Sequence, residues 1–131
     1  MSLAALITWL ATAVGGFVML GMWIARGGHR PGSGSRLAPA LTFGHFALAA
    51  IGLVLWIAYV ALDQRALAWV AFVVLLPVAL LGFVMFARWI PARRTSAAES
   101  RFPVPVVVGH GLLAATTLVL VLLAALGVGE R

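Results

Sequence analysis

The sequence GFVMLGMWI at residues 16–24 recurs as GFVMFARWI at residues 82–90. A second pair follows at nearly the same offset: RLAPALTFGHFALAAIGLVL (36–55) and RFPVPVVVGHGLLAATTLVL (101–120) are identical at nine of twenty positions. The matches include Trp, Arg and a Gly-His pair, which chance similarity between two apolar segments would not produce. The chain is therefore an internal repeat, and the repeat organises the prediction of the fold.

The composition excludes a soluble domain. Hydrophobic residues make up 64% of the chain and charged residues 9%, with a mean hydropathy of +1.15, whereas soluble domains are about a quarter charged. Four apolar blocks cover residues 3–25, 39–62, 66–90 and 103–127. Each has the roughly 20 residues that a helix needs to span the hydrocarbon core. The sequence therefore predicts four transmembrane helices.

The repeat predicts how these helices are related. Repeat 1 (3–62) and repeat 2 (66–127) are each a helical hairpin within a single transmembrane domain, residues 1–131. A hairpin crosses the membrane twice, so both copies enter in the same orientation and are related by an axis along the membrane normal. The expected fold is an all-α four-transmembrane-helix bundle, formed by a tandem-duplicated hairpin with a pseudo-two-fold axis.

The charges predict the orientation. The end of the third block and the loops that follow the first and third blocks hold seven of the nine arginines, against one acidic residue: Arg26, Arg30, Arg36, Arg88, Arg93, Arg94 and Arg101, with Glu99. Positively charged loops stay in the cytoplasm. The chain is expected in a bacterial inner membrane with both termini extracytoplasmic, and its basic loops should contact lipid headgroups, not nucleic acid. The tryptophans are expected to form interfacial belts.

Two histidines lie deep in the apolar blocks. His45 and His110 occupy equivalent positions in the second and fourth helices, which run parallel, so they lie at the same depth and face each other if both face the axis. Ionisable residues inside a membrane indicate function, because burying them is costly. Small residues near them leave a slot suited to a flat macrocycle, although close helix packing explains such residues equally well: Gly44, Gly109, Ala49, Gly52, Ala114 and Thr117.

Two arginines complete the candidate site. Arg36 and Arg101 each precede their histidine by nine residues, or roughly 13 Å if the stretch is helical throughout. Arg binds carboxylates in a bidentate manner. We therefore expect both arginines on the side toward which porphyrin carboxylates would point, with His45 and His110 as axial ligands of the metal.

This arrangement resembles the membrane cytochromes of the b561 kind, in which transmembrane histidines ligate haem b non-covalently. Those proteins generally have more helices and two haems, whereas this chain has histidines for one. We therefore expect one haem b per chain and one-electron transfer with a quinone or a redox partner subunit. Because iron with two histidine ligands has no open coordination position, we expect an electron carrier or redox subunit more than a stand-alone enzyme.

Other interpretations stay open. The histidines could instead hydrogen-bond to backbone, Thr42 or Thr117 and hold helices together in a cofactor-free accessory or assembly subunit of a larger complex. A homo-oligomer is also compatible with the sequence. A copper or other metal site made from the two histidines is weaker, since no carboxylate, cysteine or suitably placed methionine completes a ligand set. His29, in a Gly-rich loop, is expected to be solvated.

The charge bias makes a direct prediction about the C-terminus. A reporter that is active only outside the cytoplasm should be active when it is fused at the C-terminus. The two basic loops are expected in the cytoplasm, so the opposite ends of the helices, and with them the C-terminus, are expected outside. Activity of a cytoplasm-specific reporter at the same position would contradict the predicted orientation.

Overall fold

The computed structural model describes residues 1–130, and Arg131 lies outside the described residues. Four α-helices and one short 3-10 helix make up this part of the chain, which contains no strand: α1 (Ser2–Ala25), α2 (Pro39–Leu62), α3 (Arg65–Ala92), the 3-10 helix (Ala98–Arg101) and α4 (Val104–Ala125). All four α-helices are long and apolar enough to cross a membrane. The predicted all-α, four-helix membrane fold is confirmed.

Prolines and left-handed turns set the helix ends. Pro39 occupies the first turn of α2, and Pro103 is the N-cap of α4, because proline has no N–H to leave unpaired there. Asp63 takes a left-handed conformation (φ 52°) between α2 and α3. Helices α2 and α4 therefore begin after Arg36 and Arg101. The stretches from Arg36 to His45 and from Arg101 to His110 are therefore not helical throughout, so the condition for the spacing of roughly 13 Å is not met.

Each helix packs most closely against a helix of the other repeat. The α1–α4 and α2–α3 pairs make the most extensive contacts, the α3–α4 pair fewer, and the α1–α2 pair the fewest. Helices α1 and α4 run antiparallel, because Ser2 contacts Glu130 and Thr12 contacts His110. The bundle therefore consists of two tight cross-repeat pairs, and α2 and α4 lie on a diagonal. The orientation of a pseudo-two-fold axis relative to the membrane stays a prediction.

Most of the tryptophans lie inside the bundle, where the belt interpretation does not place them. At the end of the bundle that contains Asp63, Trp9 and Trp56 are buried with ring centroids 6.5 Å apart. At the other end, which carries the seven loop arginines and is called the basic end below, Trp23 and Trp89 are buried. Only Trp69 is exposed. The Trp9 ring has room in the core because Gly52 of α2, against which it packs, has no side chain. Gly28, in the loop after α1, leaves room for the Trp23 ring in the same way.

A buried carboxyl group joins the two loops of the basic end. Glu99 is fully buried and accepts hydrogen bonds from the Ser35 hydroxyl (2.9 Å) and the Arg36 backbone N–H (2.6 Å). The indole of Trp23 donates to the Ser35 hydroxyl, and the indole of Trp89 donates to the Glu99 carbonyl. These partners offset the cost of burying the polar group. The equivalent tryptophans of the two repeats thus hold one shared structure.

The packing of Trp9 on α2 predicts a loss of stability. A Cβ at Gly52 would lie 3.1 Å from Cη2 and Cζ2 of Trp9, and 3.5 Å from Val74. Gly52→Val should therefore lower the free energy of unfolding by roughly 1–3 kcal/mol, as overpacking does. Thermal unfolding in detergent measures this.

The matched control is Gly21→Ala, because a Cβ at Gly21 meets nothing within 4 Å. This change should be neutral or slightly stabilising, by up to about 1 kcal/mol. Equal stability of Gly52→Val and the unmodified protein would contradict the packing described for Trp9.

Candidate functional site

The two intramembrane histidines meet in the middle of the bundle. The ring centroids of His45 and His110 are 6.5 Å apart, and the ring planes are inclined at 64°. The rings come from the diagonal helices α2 and α4, which have no close backbone contact with each other. Each histidine belongs to a different tight helix pair, so the two imidazoles meet across the boundary between the pairs.

Each imidazole is fixed by a hydrogen bond to the backbone of its partner helix. His45 Nδ1 lies 3.0 Å from the Val78 carbonyl oxygen of α3, and His110 Nδ1 lies 2.8 Å from the Thr12 carbonyl oxygen of α1. A carbonyl oxygen can only accept, so Nδ1 donates in both rings and the neutral ring keeps a lone pair on Nε2. Thr12 and Val78 are 66 residues apart, so both repeats make the same interaction.

The repeated glycine of GFVM is the surface on which each histidine rests. A Cβ at Gly16 would lie 3.1 Å from Cε1 of His110, and a Cβ at Gly82 would lie 3.4 Å from Cε1 of His45. A side chain at Gly16 would therefore press on the imidazole of His110, whereas a Cβ at Gly82 would make an ordinary van der Waals contact with the imidazole of His45. Sequence reasoning missed Gly16 and Gly82 as site residues, although their recurrence before Phe-Val-Met was the available signal. It also missed the two carbonyl acceptors, for which a sequence carries no signal.

The small residues predicted around the histidines divide into three groups. Cβ atoms added at Gly44 and Gly109 would meet nothing within 4 Å, so space is open beside both. Ala49 and Ala114 are partly buried. The expected slot is interrupted one turn further on, because the Trp9 ring occupies the space beside Gly52.

Thr117 and the arginines lie away from the imidazoles. The Thr117 hydroxyl is buried and bonds to the Thr8 hydroxyl (2.9 Å) and the Leu113 carbonyl (2.7 Å), not to a histidine. Arg36 and Arg101 both lie exposed at the basic end. The backbone of Arg36 is held there by Glu99 and by Arg88, whose Nη1 donates to the Arg36 carbonyl (3.2 Å).

The α1–α2 and α3–α4 contacts, which join the two helix pairs on either side of the site, differ. On the α1–α2 side, Phe17 and Phe46 pack edge to face with centroids 5.6 Å apart. The equivalent positions on the α3–α4 side are Phe83, which is 73% exposed, and Gly111, beside which space is open. The aromatic contact on the α1–α2 side is therefore absent from the α3–α4 side.

Comparison with protein-family models, with curated proteins and with solved structures gives no match to this chain. The candidate site is therefore defined by the residues of this chain alone. Within residues 1–130, no three or more His, Cys, Asp or Glu side chains come together as a metal-binding group, so the histidine pair is a two-nitrogen set.

The hydrogen bonds predict the tautomer of both histidines. Because each Nδ1–H donates to a carbonyl, 15N NMR of the cofactor-free protein should show His45 and His110 with protonated Nδ1 and unprotonated Nε2. The variants His45→Gln and His110→Gln assign the two signals, and His29→Gln should leave both unchanged. A protonated Nε2 with an unprotonated Nδ1 in either ring would contradict the described hydrogen bonds.

Proposed function

We propose that the protein is a b-type cytochrome-like integral membrane protein that binds one haem between α2 and α4. His45 and His110 would be its axial ligands, and it would transfer one electron at a time with a quinone or a redox partner subunit. The observation that carries the proposal is the histidine pair itself. Two imidazoles from different helix pairs lie 6.5 Å apart, and each keeps Nε2 free while Nδ1 donates to a carbonyl.

The separation of the rings supports ligation of a single ion. Imidazole nitrogens bind metals at about 2 Å, so two rings that bind one ion from opposite sides have centroids about 6 Å apart. Histidines that ligate metals almost always donate their other ring N–H to a carbonyl or carboxylate, which fixes the tautomer and the ring orientation. Val78 and Thr12 supply those carbonyls.

The ligand set favours haem over a bare ion. Two nitrogens leave most of the coordination positions of a transition metal to other ligands, and the chain has no cysteine. A porphyrin brings four nitrogens of its own. When bound, a bis-histidine haem supplies one-electron redox chemistry at an iron without an open position, which disfavours oxygen chemistry.

The packing around the pair limits where a macrocycle would lie. Trp9 fills the space beside Gly52, whereas space is open beside Gly44 and Gly109, on the side of the histidines nearer the basic end. Arg36 and Arg101 are exposed at that end. Their guanidinium groups are suited to bind the two carboxylates of the macrocycle.

The proposal includes a location. The four apolar helices support an integral membrane protein, and the arginine bias of the basic end supports its cytoplasmic location in a bacterial inner membrane. The haem would then lie between the histidines with its carboxylates toward the cytoplasm.

The alternative is a cofactor-free accessory subunit of a larger membrane complex. The same hydrogen bonds support it, because His45 links α2 to α3 and His110 links α4 to α1. In this alternative the histidines would join the two repeats and bind nothing else.

Absorption spectra of the purified protein, oxidised and dithionite-reduced, separate the two functions. Protein expressed with ample haem should show a six-coordinate low-spin spectrum. His45→Ala and His110→Ala should each abolish it, leaving high-spin haem or none, because each removes an axial ligand. His29→Ala is the matched control and should keep the spectrum. Absence of a Soret band from the folded, unmodified protein would refute the haem proposal, and intact low-spin haem in either site variant would refute ligation by the pair.

The arginines should behave differently from the histidines. Arg36→Ala and Arg101→Ala should keep the low-spin spectrum and only weaken haem retention, because a carboxylate contact near the interface is screened by water and ions. Each change should also lower the reduction potential, because it removes a positive charge that stabilises the reduced haem. An unchanged potential in both variants would remove the arginines from the site.

A further inference from the structure

A groove lies at the basic end of α3, away from the histidines. It has a volume of about 530 Å³ and is lined by Ile90, Pro91, Arg93 and Arg94. Ile90 and Pro91 belong to the last turn of α3, and the two arginines follow at the end of the helix. The lining therefore combines an apolar part, Ile90 and Pro91 (called the apolar side below), with two guanidinium groups.

One of these guanidinium groups is held in place. The Arg93 guanidinium carbon lies 5.2 Å from the centroid of the Trp89 ring, in a cation–π arrangement. The Trp89 indole is itself fixed, because it is buried and its N–H donates to the Glu99 carbonyl (3.1 Å). The position of the Arg93 charge is thus set by the same structure that joins the two basic loops.

The positive charge of the groove is not neutralised by a neighbouring acid. The one acidic residue of the basic end, Glu99, is fully buried and bonded to Ser35 and to the Arg36 backbone. Within residues 1–130 the ion pair that forms joins the N-terminal amine to Glu130, at the opposite end of the bundle. Arg93 and Arg94 therefore keep their donors available for an anion.

We propose that this groove binds the headgroup phosphate of an anionic phospholipid from the leaflet at the basic end. Arg93 and Arg94 would bind the phosphate, because guanidinium groups match its geometry. The acyl chains would lie along Ile90, which is 48% exposed, and Pro91. This site is independent of the haem proposal, because it shares no residue with it.

The position of the groove favours a lipid over a soluble anion. Its apolar side is the last turn of a helix that is long and apolar enough to cross a membrane, so the groove lies where hydrocarbon gives way to headgroups. A free phosphate would leave that apolar side uncovered. An anionic lipid covers it and meets the charge at the same time.

Native mass spectrometry of the full chain, with phosphatidylglycerol and phosphatidylcholine supplied in equal amounts, tests the proposal. The unmodified protein should retain phosphatidylglycerol preferentially. In Arg93→Gln/Arg94→Gln this preference should fall about tenfold, because each basic residue contributes to attraction of anionic lipid. Arg26→Gln/Arg30→Gln is the matched control, since it removes the same charge from the other loop of the basic end, and its preference should persist.

Three outcomes would overturn the proposal. Equal losses in the two double variants would mean that the arginines act only through general surface charge. No preference in the unmodified protein would mean that no such site exists. Displacement of the lipid by millimolar inorganic phosphate would assign the groove to a free anion. Arg93→Lys/Arg94→Lys, which keeps the charge, should retain at least part of the preference, and this checks that a loss in the glutamine variant does not come from misfolding.

Discussion

The hydrogen bond from each histidine Nδ1 to a backbone carbonyl is the interaction on which the site depends. An imidazole in hydrocarbon without a partner is costly, and the carbonyls of Val78 and Thr12 remove that cost in the two halves of the bundle. The same bond fixes the tautomer and the ring orientation. It also joins α2 to α3 and α4 to α1, the two tight helix pairs of the bundle.

Glycine makes that close pairing feasible. Gly16 lets α1 approach the ring of His110, because a Cβ there would press on Cε1, and Gly82 lies in the same contact between α3 and His45. The aromatic residues then fill the ends of the bundle: Trp9 beside Gly52, and Trp23 with Trp89 around Ser35 and Glu99. The histidine pair thus lies in the centre of the bundle, and large aromatic rings are buried at both ends.

Some of this could be predicted from the sequence. The apolar blocks predict the helices because their lengths match the membrane thickness, and the structure places α2 at the predicted residues 39–62. The repeat predicts the meeting of His45 and His110, since equivalent residues on parallel helices lie at equal depth.

The rest of the fold and of the site depends on which helices pack together, and the hydropathy pattern does not specify that. The burial of Trp9 against Gly52 follows from the packing of α1 within the bundle, and periodicity alone allows the indole to face lipid. The burial of Glu99 depends on loop conformation, with Gly27, Gly32 and Gly34 at positive φ in the first basic loop. The carbonyl acceptors of the histidines belong to the backbone, so no residue type marks them.

The pairing of helices across the repeats has an evolutionary consequence. His45 finds its acceptor in the second repeat and His110 finds its acceptor in the first, so a single hairpin could not satisfy its own histidine in this way. An ancestral hairpin would have needed a second copy of itself. Fusion of the two copies into one gene makes the partner permanent and lets each copy change alone, as Thr8 beside Thr117 and Val74 beside Gly52 now show at equivalent positions.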